Sequence, residues 1–246
     1  AAAIYGSRAA NGVIIVTTKK GKKCPMKIGV NVKETVEWSP RYDLMNAAEY
    51  KKYNDMAYTE GIKSGSWSGA LQQHAANDTD WQDEVFQTGI DQDYNVSLSG
   101  GGDYGTYFVA GGYYDNDGVT YGNSFNGNSF RVNTEGKRGM FTFGENLSYS
   151  FTDKDPLQTN PYNDVIRMMP TIPLYDANNP GGYGYGDSNA NTFGTNPIAR
   201  ENLEKQQEKQ NRINGSIWLE FKPFSFLSYK LNGGMDFYFF EKSWFR

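Results

Sequence analysis

Four carboxylates crowd one short stretch of the sequence: Asp78, Asp80, Asp83 and Glu84. Two carboxyl groups held close together can serve as general acid and base. The same cluster suits the start of a helix, because Thr79 and Gln82 have capping-box spacing just before Trp81–Phe86. We prefer that reading. Asp115-Asn116-Asp117-Gly118 has the opening of a calcium loop, but the distal Glu of an EF-hand is absent. A loop at a hairpin end is the simpler account, with Ca²⁺ as the alternative. Cys24 is the single cysteine and His74 the single histidine. An internal disulfide and a multi-histidine metal site are therefore excluded. Gly6-Ser7-Arg8 lacks the spacing of a nucleophile elbow, and Gly12 to Lys20 lacks that of a phosphate loop. No catalytic constellation, metal site or cofactor site emerges, and the chain is not expected to be an enzyme.

Aromatic residues in glycine-rich surroundings are the better ligand candidates. Trp67 sits in Ser64-Gly65-Ser66-Trp67-Ser68-Gly69, and Tyr183 and Tyr185 alternate with glycines from Gly181 to Gly186. Flat rings can stack on the apolar faces of sugars, while neighbouring Asn and Asp pair with hydroxyls. Trp67, Tyr183 and Tyr185 are accordingly the expected substrate-binding residues.

The elements that carry these loops alternate with period two, the signature of strands. Ile28, Val30 and Val32 form one apolar row, and Tyr94, Val96 and Leu98 another. Further rows are Tyr107 to Tyr113, Phe130 with Val132 and Thr134, and Phe141 to Phe151. Ile213 to Phe221 and Leu227 to Phe237 complete the set, for about seven strands. The opposite faces are polar. Glu145 breaks the pattern: it falls on the apolar parity, so it sits near a rim or a bulge shifts the register there. The connections at Gly101-Gly102-Asp103, Gly136 to Gly139 and Lys222 to Ser225 are short. Those at about Ser39–Ile90, Asn116–Asn128 and Asp153–Gln210 are long. Short turns at one end and long loops at the other are the outer-membrane barrel pattern. Within the loops, helices are expected from Asp43 towards Gly61, at Trp81–Phe86, and after Asn160, with Pro161 at the first position and Pro170 as the stop.

Composition is compatible with such a barrel. The chain has 246 residues, a net charge of −4, 28 glycines, 18 tyrosines and 15 phenylalanines. That charge gives no support for a nucleic-acid partner. Mean hydropathy is −0.69, and no run approaches the ~18 apolar residues of a spanning helix. Neither argues against membrane strands, whose alternation hides their apolar face from averaging. The chain opens on Ala1 with no leader pattern before it, so an internal fragment of a longer protein is expected.

The N-terminal string is Ile4-Tyr5-Gly6-Ser7-Arg8-Ala9-Ala10-Asn11-Gly12, followed by the β-branched run Val13 to Thr18 and by Lys19, Lys20, Lys22 and Lys23. Residues 1–10 favour a helical turn, Asn11-Gly12 a left-handed stop, and Val13 to Thr18 a strand buried on both faces. This string resembles the end of the plug domain of SusC/RagA-type TonB-linked outer-membrane receptors. Asp80-Trp81-Gln82-Asp83, Asn163 to Asp176, Gly181 to Gly186 and Asn196-Pro197-Ile198-Ala199 resemble the same family in the same order. The resemblance implies an all-β chain: part of a transmembrane antiparallel barrel, a short plug remnant, and helices in long extracellular loops. It divides the chain into the C-terminal end of the plug (1–23) and the N-terminal portion of the barrel (24–246). It further implies outer-membrane import of oligosaccharides, or of peptides, in a Gram-negative, Bacteroidetes-like cell. The implied partners are a SusD-like surface lipoprotein, outer-membrane lipid, and TonB, reached through a segment this chain does not contain. A soluble carbohydrate-binding β-sandwich and a passive porin or adhesin barrel are the alternatives.

Overall fold

The computed structural model describes residues 18–69, 71, 74, 76–186 and 195–246. The string Ile4 to Gly12 and the run from Val13 to Thr17 lie outside the described residues, so the expected helical turn and buried strand are not described.

Seven strands form one antiparallel sheet in sequence order. They are β1 (Cys24–Glu37), β2 (Gly89–Gly101), β3 (Gly105–Asp117), β4 (Ser124–Arg138), β5 (Phe141–Asp155), β6 (Lys205–Phe224) and β7 (Leu227–Phe245). A β-sandwich needs a second sheet, and the described strands all belong to this one. The short turns at 102–104, 139–140 and 225–226 lie at one end, as expected. The connections at the other end span 38–88, 118–123 and 156–204. The middle one is shorter than expected because β3 and β4 stay paired out to Asp117↔Ser124.

Register turns the alternation into continuous rows. Ile28 pairs with Leu98, Leu98 with Val109, Val109 with Val132, Val132 with Leu147, Leu147 with Gly215, and Gly215 with Met235. The next row runs Val30, Val96, Gly111, Phe130, Tyr149, Ile213, Phe237. A one-residue slip would send every one of these side chains to the other face. The apolar row is uncovered: Val30 is 67 % exposed and Ile217 68 %. Aromatic residues flank the belt. The Phe141 and Phe221 rings stack at 4.9 Å near the short turns, and Tyr94 faces Tyr113 at 6.4 Å towards the long loops. From Phe141 to Phe151 the belt rises about 25 Å at ~3.3 Å per residue and a strand tilt near 40°.

Large rings cover two of the glycines in the sheet. Phe143 lies over Gly136 and Trp218 over Gly144, where an added Cβ would come within 2.4 and 2.6 Å of ring atoms. The other face is polar and carries ion pairs. Arg212 grips Asp236 bidentately at 3.0 and 2.6 Å, and Lys242 meets Glu208 at 3.0 Å.

Residues 18–23 lie across that polar face before β1 begins. The amide of Asn133 on β4 donates to the Lys19 carbonyl (2.5 Å), and Asn146 on β5 donates to Thr18 Oγ1 (3.1 Å). Gly21 presses on the Tyr107 backbone of β3 so closely that a Cβ would sit 2.4 Å from it. Lys23 then pairs with Asp103 in the β2–β3 turn. The segment therefore crosses the wall under three strands and enters the sheet at its short-turn end.

Candidate functional site

The long connections fold together into one cluster at the far end of the sheet. It contains α1 (Ala47–Ser64), α2 (Trp81–Val85), α3 (Pro161–Arg167), α4 (Pro197–Leu203) and a 3₁₀ turn at Pro180–Gly182. Local chemistry starts each helix. Asn46 caps α1 by accepting from the Glu49 amide (3.0 Å), while Glu49 accepts from the Asn46 amide (3.1 Å). The helix thus starts at Asn46 rather than at the expected Asp43, because only Asn46 has a Glu three residues on. Asp80, not Thr79, caps α2 by accepting from the amides of Gln82 and Asp83. Thr79 is used otherwise, its hydroxyl donating to the Ile172 carbonyl at 2.8 Å. Asn160 caps α3 with Pro161 at its first turn, as expected.

Three of the four clustered carboxylates, Asp78, Asp80 and Asp83, are committed to the fold. Asp80 caps α2. Asp83 and Asp80 hold the Arg41 guanidinium, which raises its affinity for its proton above the ordinary arginine value. Asp78 accepts the Ala47 amide at 2.8 Å. Gln82 is buried and pairs reciprocally with the Tyr42 backbone, accepting at 2.7 Å and donating at 2.9 Å. Among the described residues no three acidic, His or Cys side chains converge as a metal cage. Asp115 accepts from the Tyr113 hydroxyl, and Gly118 N–H bonds the Asn123 carbonyl, closing the β3–β4 loop.

Trp81, Val85, Val165, Met168, Ile172 and Ile198 form a buried apolar core, with Phe86, Met169, Leu174 and Tyr183 against it. The Trp81 indole N–H donates to the Met169 carbonyl at 3.0 Å, so this ring buries without leaving its donor unpaired. Asn196 is wholly buried. Its amide donates to the carbonyls of Leu174 (3.0 Å) and Gly184 (3.1 Å), and its oxygen accepts from Ala199 N at the start of α4. One side chain thereby joins a helix start to both arms of the loop that presents the tyrosines. Two further contacts tie the 118–123 connection in: Phe86 bridges Thr120, and Tyr121 N–H bonds the Val85 carbonyl at 2.9 Å.

On this frame the expected ligand residues separate into two places. Trp67 follows the α1 C-terminus, 41 % exposed, its ring edge-on to Tyr58 at 5.1 Å. Gly69 lies against the indole, where a Cβ would come within 2.7 Å. Tyr183 and Tyr185 sit on the tight 175–186 loop, where Tyr175 pairs with Tyr183 and their rings approach to 5.3 Å. The Tyr183 hydroxyl accepts from Asn202 at 3.0 Å and its ring packs on the core, so its second face is committed to the fold. Tyr185 is 37 % exposed and Tyr175 64 %.

The sequence reading missed Tyr175 and Asn202. Asn202 accepts from Tyr121 (2.8 Å) while donating to Tyr183, joining two loops distant in sequence. Beside it, Glu201 accepts the Gln158 amide (3.0 Å), and burial pushes its carboxyl above the usual range. Together with Tyr121, Gly122 and Gln206 they line a cleft of about 310 Å³ at the loop base. Tyr175 was legible only as the mate of Tyr183 across the Asp176–Gly182 turn.

No family model matches the chain. It is 29 % identical over 254 residues to the TonB-dependent receptor SusC of Bacteroides thetaiotaomicron, covering 92 % of this chain and 24 % of that protein. It is 32 % identical to TonB-dependent receptor P3 of Formosa agariphila over 238 residues, 90 % of this chain and 22 % of that one. The chain thus spans about a quarter of the length of the curated relatives it matches. In fold it superposes on a chain of the RagAB peptide transporter with a TM-score of 0.74 at 21 % identity, covering 98 % of this chain and 31 % of that one. The two-faced sheet and its loop cluster are thus part of a receptor barrel, and by sequence and fold the chain belongs with the TonB-dependent receptors of the SusC/RagA type.

Proposed function

We propose that residues 1–23 are the end of a plug domain and residues 24–246 the first part of the barrel of an outer-membrane importer. The whole receptor takes up oligosaccharides, or peptides, with a SusD-like lipoprotein closing over the long loops and TonB supplying the work through the plug. It carries out no catalysis. The observation that carries this reading is the match to SusC across 92 % of the chain, joined to a sheet whose apolar face is exposed among the described residues. SusC and the P3 receptor are named as receptors and RagAB as a peptide transporter, so the relatives support import while leaving two cargo classes.

Trp67 and Tyr185 are the proposed cargo contacts, by their exposed faces, and Tyr183 is the proposed support of the loop that presents Tyr185. Deleting the gene and offering cells a mixture of neutral oligosaccharides and, separately, a tryptic peptide digest tests the reading. The deletion should abolish depletion of one class, and loss of TonB should have the same effect. Uptake that persists without TonB would point to the passive porin instead. Tyr185→Ala and Trp67→Ala should weaken uptake while the receptor still reaches the membrane.

A further inference from the structure

Glu145 is the one charged side chain of the apolar belt between its two aromatic margins. Its register is continuous, pairing with Thr134 on one side and Ile217 on the other. No bulge turns it inward. β5 is flanked on both sides by paired strands, so no additional barrel strand can cover it. Its hydrogen-bond partner is the Thr134 hydroxyl at 3.1 Å, and among the described residues no Lys or Arg lies within ion-pair distance. It stands four positions along β5 from Phe141, which places it about 10 Å above the belt's short-turn margin. A carboxylate facing hydrocarbon there is costly unless something pairs with it.

The surroundings specify that partner. Thr134, Phe143, Ile217, Leu219, Leu231 and Gly233 line a cleft of about 450 Å³ beside the carboxylate. Gly233, on the same row as Ile217, leaves the gap. The cleft is open on the outward face, apolar along its sides and anionic at one point. A protein interface would be expected to show further polar positions at its edge, yet the rows above are Val132 with Leu147 and Phe130 with Tyr149.

We propose that this cleft binds the ammonium head group of a phospholipid of the phosphatidylethanolamine type. The Glu145 carboxylate, held by the Thr134 hydroxyl across the ladder, lines this cleft. The ammonium meets it in the cleft, shielded by Phe143, Leu219 and Leu231, and the acyl chains lie along the rows above. A primary ammonium supplies three donors, enough for both carboxylate oxygens.

The inference rests on the apolar face being the lipid face. The full-length receptor carrying these residues would be placed in bilayers of equal phosphatidylethanolamine and phosphatidylglycerol. Retained lipid would then be counted by native mass spectrometry. The native receptor should retain phosphatidylethanolamine preferentially. Glu145→Gln, which keeps shape and loses charge, should lower that preference roughly fivefold, the loss of one charge-assisted contact. Glu145→Lys should turn the preference towards phosphatidylglycerol. Unchanged lipid retention in Glu145→Gln overturns the proposal. So does a change in oligomeric mass in its place, which would assign the cleft to a protein contact. If Phe130→Arg inserted as well as the native chain, the lipid-face reading itself would fail.

Discussion

Trp81 and Phe130 are both large aromatic residues, and the molecule treats them oppositely. Trp81 is 3 % exposed in the loop cluster, while Phe130 is 47 % exposed in the middle of a strand. The contrast is regional. Among the described residues Phe108 is the one buried hydrophobic side chain of the sheet, whereas Trp81, Val85, Val165, Met168, Ile172 and Ile198 bury in the loops. The loops fold as a small water-soluble protein does, around a core. Among the described residues the sheet has no such core and relies on backbone pairing; in the proposed barrel its apolar face meets hydrocarbon. Stability is therefore set by different solvents in the two regions, and mutations should respect the boundary.

The largest break in this contrast should come from Trp81→Ala, at about 3–5 kcal/mol from the lost packing. Limited proteolysis of intact cells should then cut within 38–88 and 156–204 while the strands remain protected. Digestion of the strands as well would mean that the two regions fold as one unit. Next comes Phe130→Arg, expected to cost about 2–4 kcal/mol near mid-membrane, measured by denaturant titration in lipid. The matched change Ser148→Arg on the polar face should cost far less. Asn196→Ala should cost about 2 kcal/mol, because it removes a helix cap and the side-chain donor to the Gly184 carbonyl, while the Leu174 carbonyl keeps the Gly184 N–H. Its signature is faster cleavage of the 175–186 loop with the sheet unchanged.

The smallest effect concerns pH. Burial raises the Glu201 carboxyl in the folded loop, so the folded state holds that proton more tightly than the unfolded chain. The contribution to stability is complete below the unfolded value and is lost as pH rises through the folded one. Loop protection should improve on moving from neutral to mildly acidic pH, and Glu201→Gln should flatten that dependence.

The sheet was legible because a period of two is a local property. Val30, Val96, Phe130 and Phe237 each announce their face from neighbours two residues away, and even the Glu145 exception could be read before its register was known. The helix starts were less legible. Thr79 and Asp43 are good capping residues by type, but which residue caps depends on backbone geometry and on what else claims the side chain, as Ile172 claims Thr79. The loop core was not legible at all. Trp81, Val165 and Ile198 come from two connections, and no periodicity links them. Tyr183 stands out in the sequence by its ring and its flanking glycines, and nothing local discloses that Asn202 holds its hydroxyl.

The segment at 18–23 has a consequence for the order of assembly. Each strand pairs with its sequence neighbour, so the sheet can grow by adding one hairpin at a time, with little loop entropy to overcome at each step. The segment before β1 breaks that economy. Its anchors, Tyr107, Asn133 and Asn146, belong to β3, β4 and β5, and the set is complete only once the fifth strand has joined. The first described residues of the chain are thus among the later ones to find their place, and Gly21 can settle on the Tyr107 backbone only after the wall beneath it has been built.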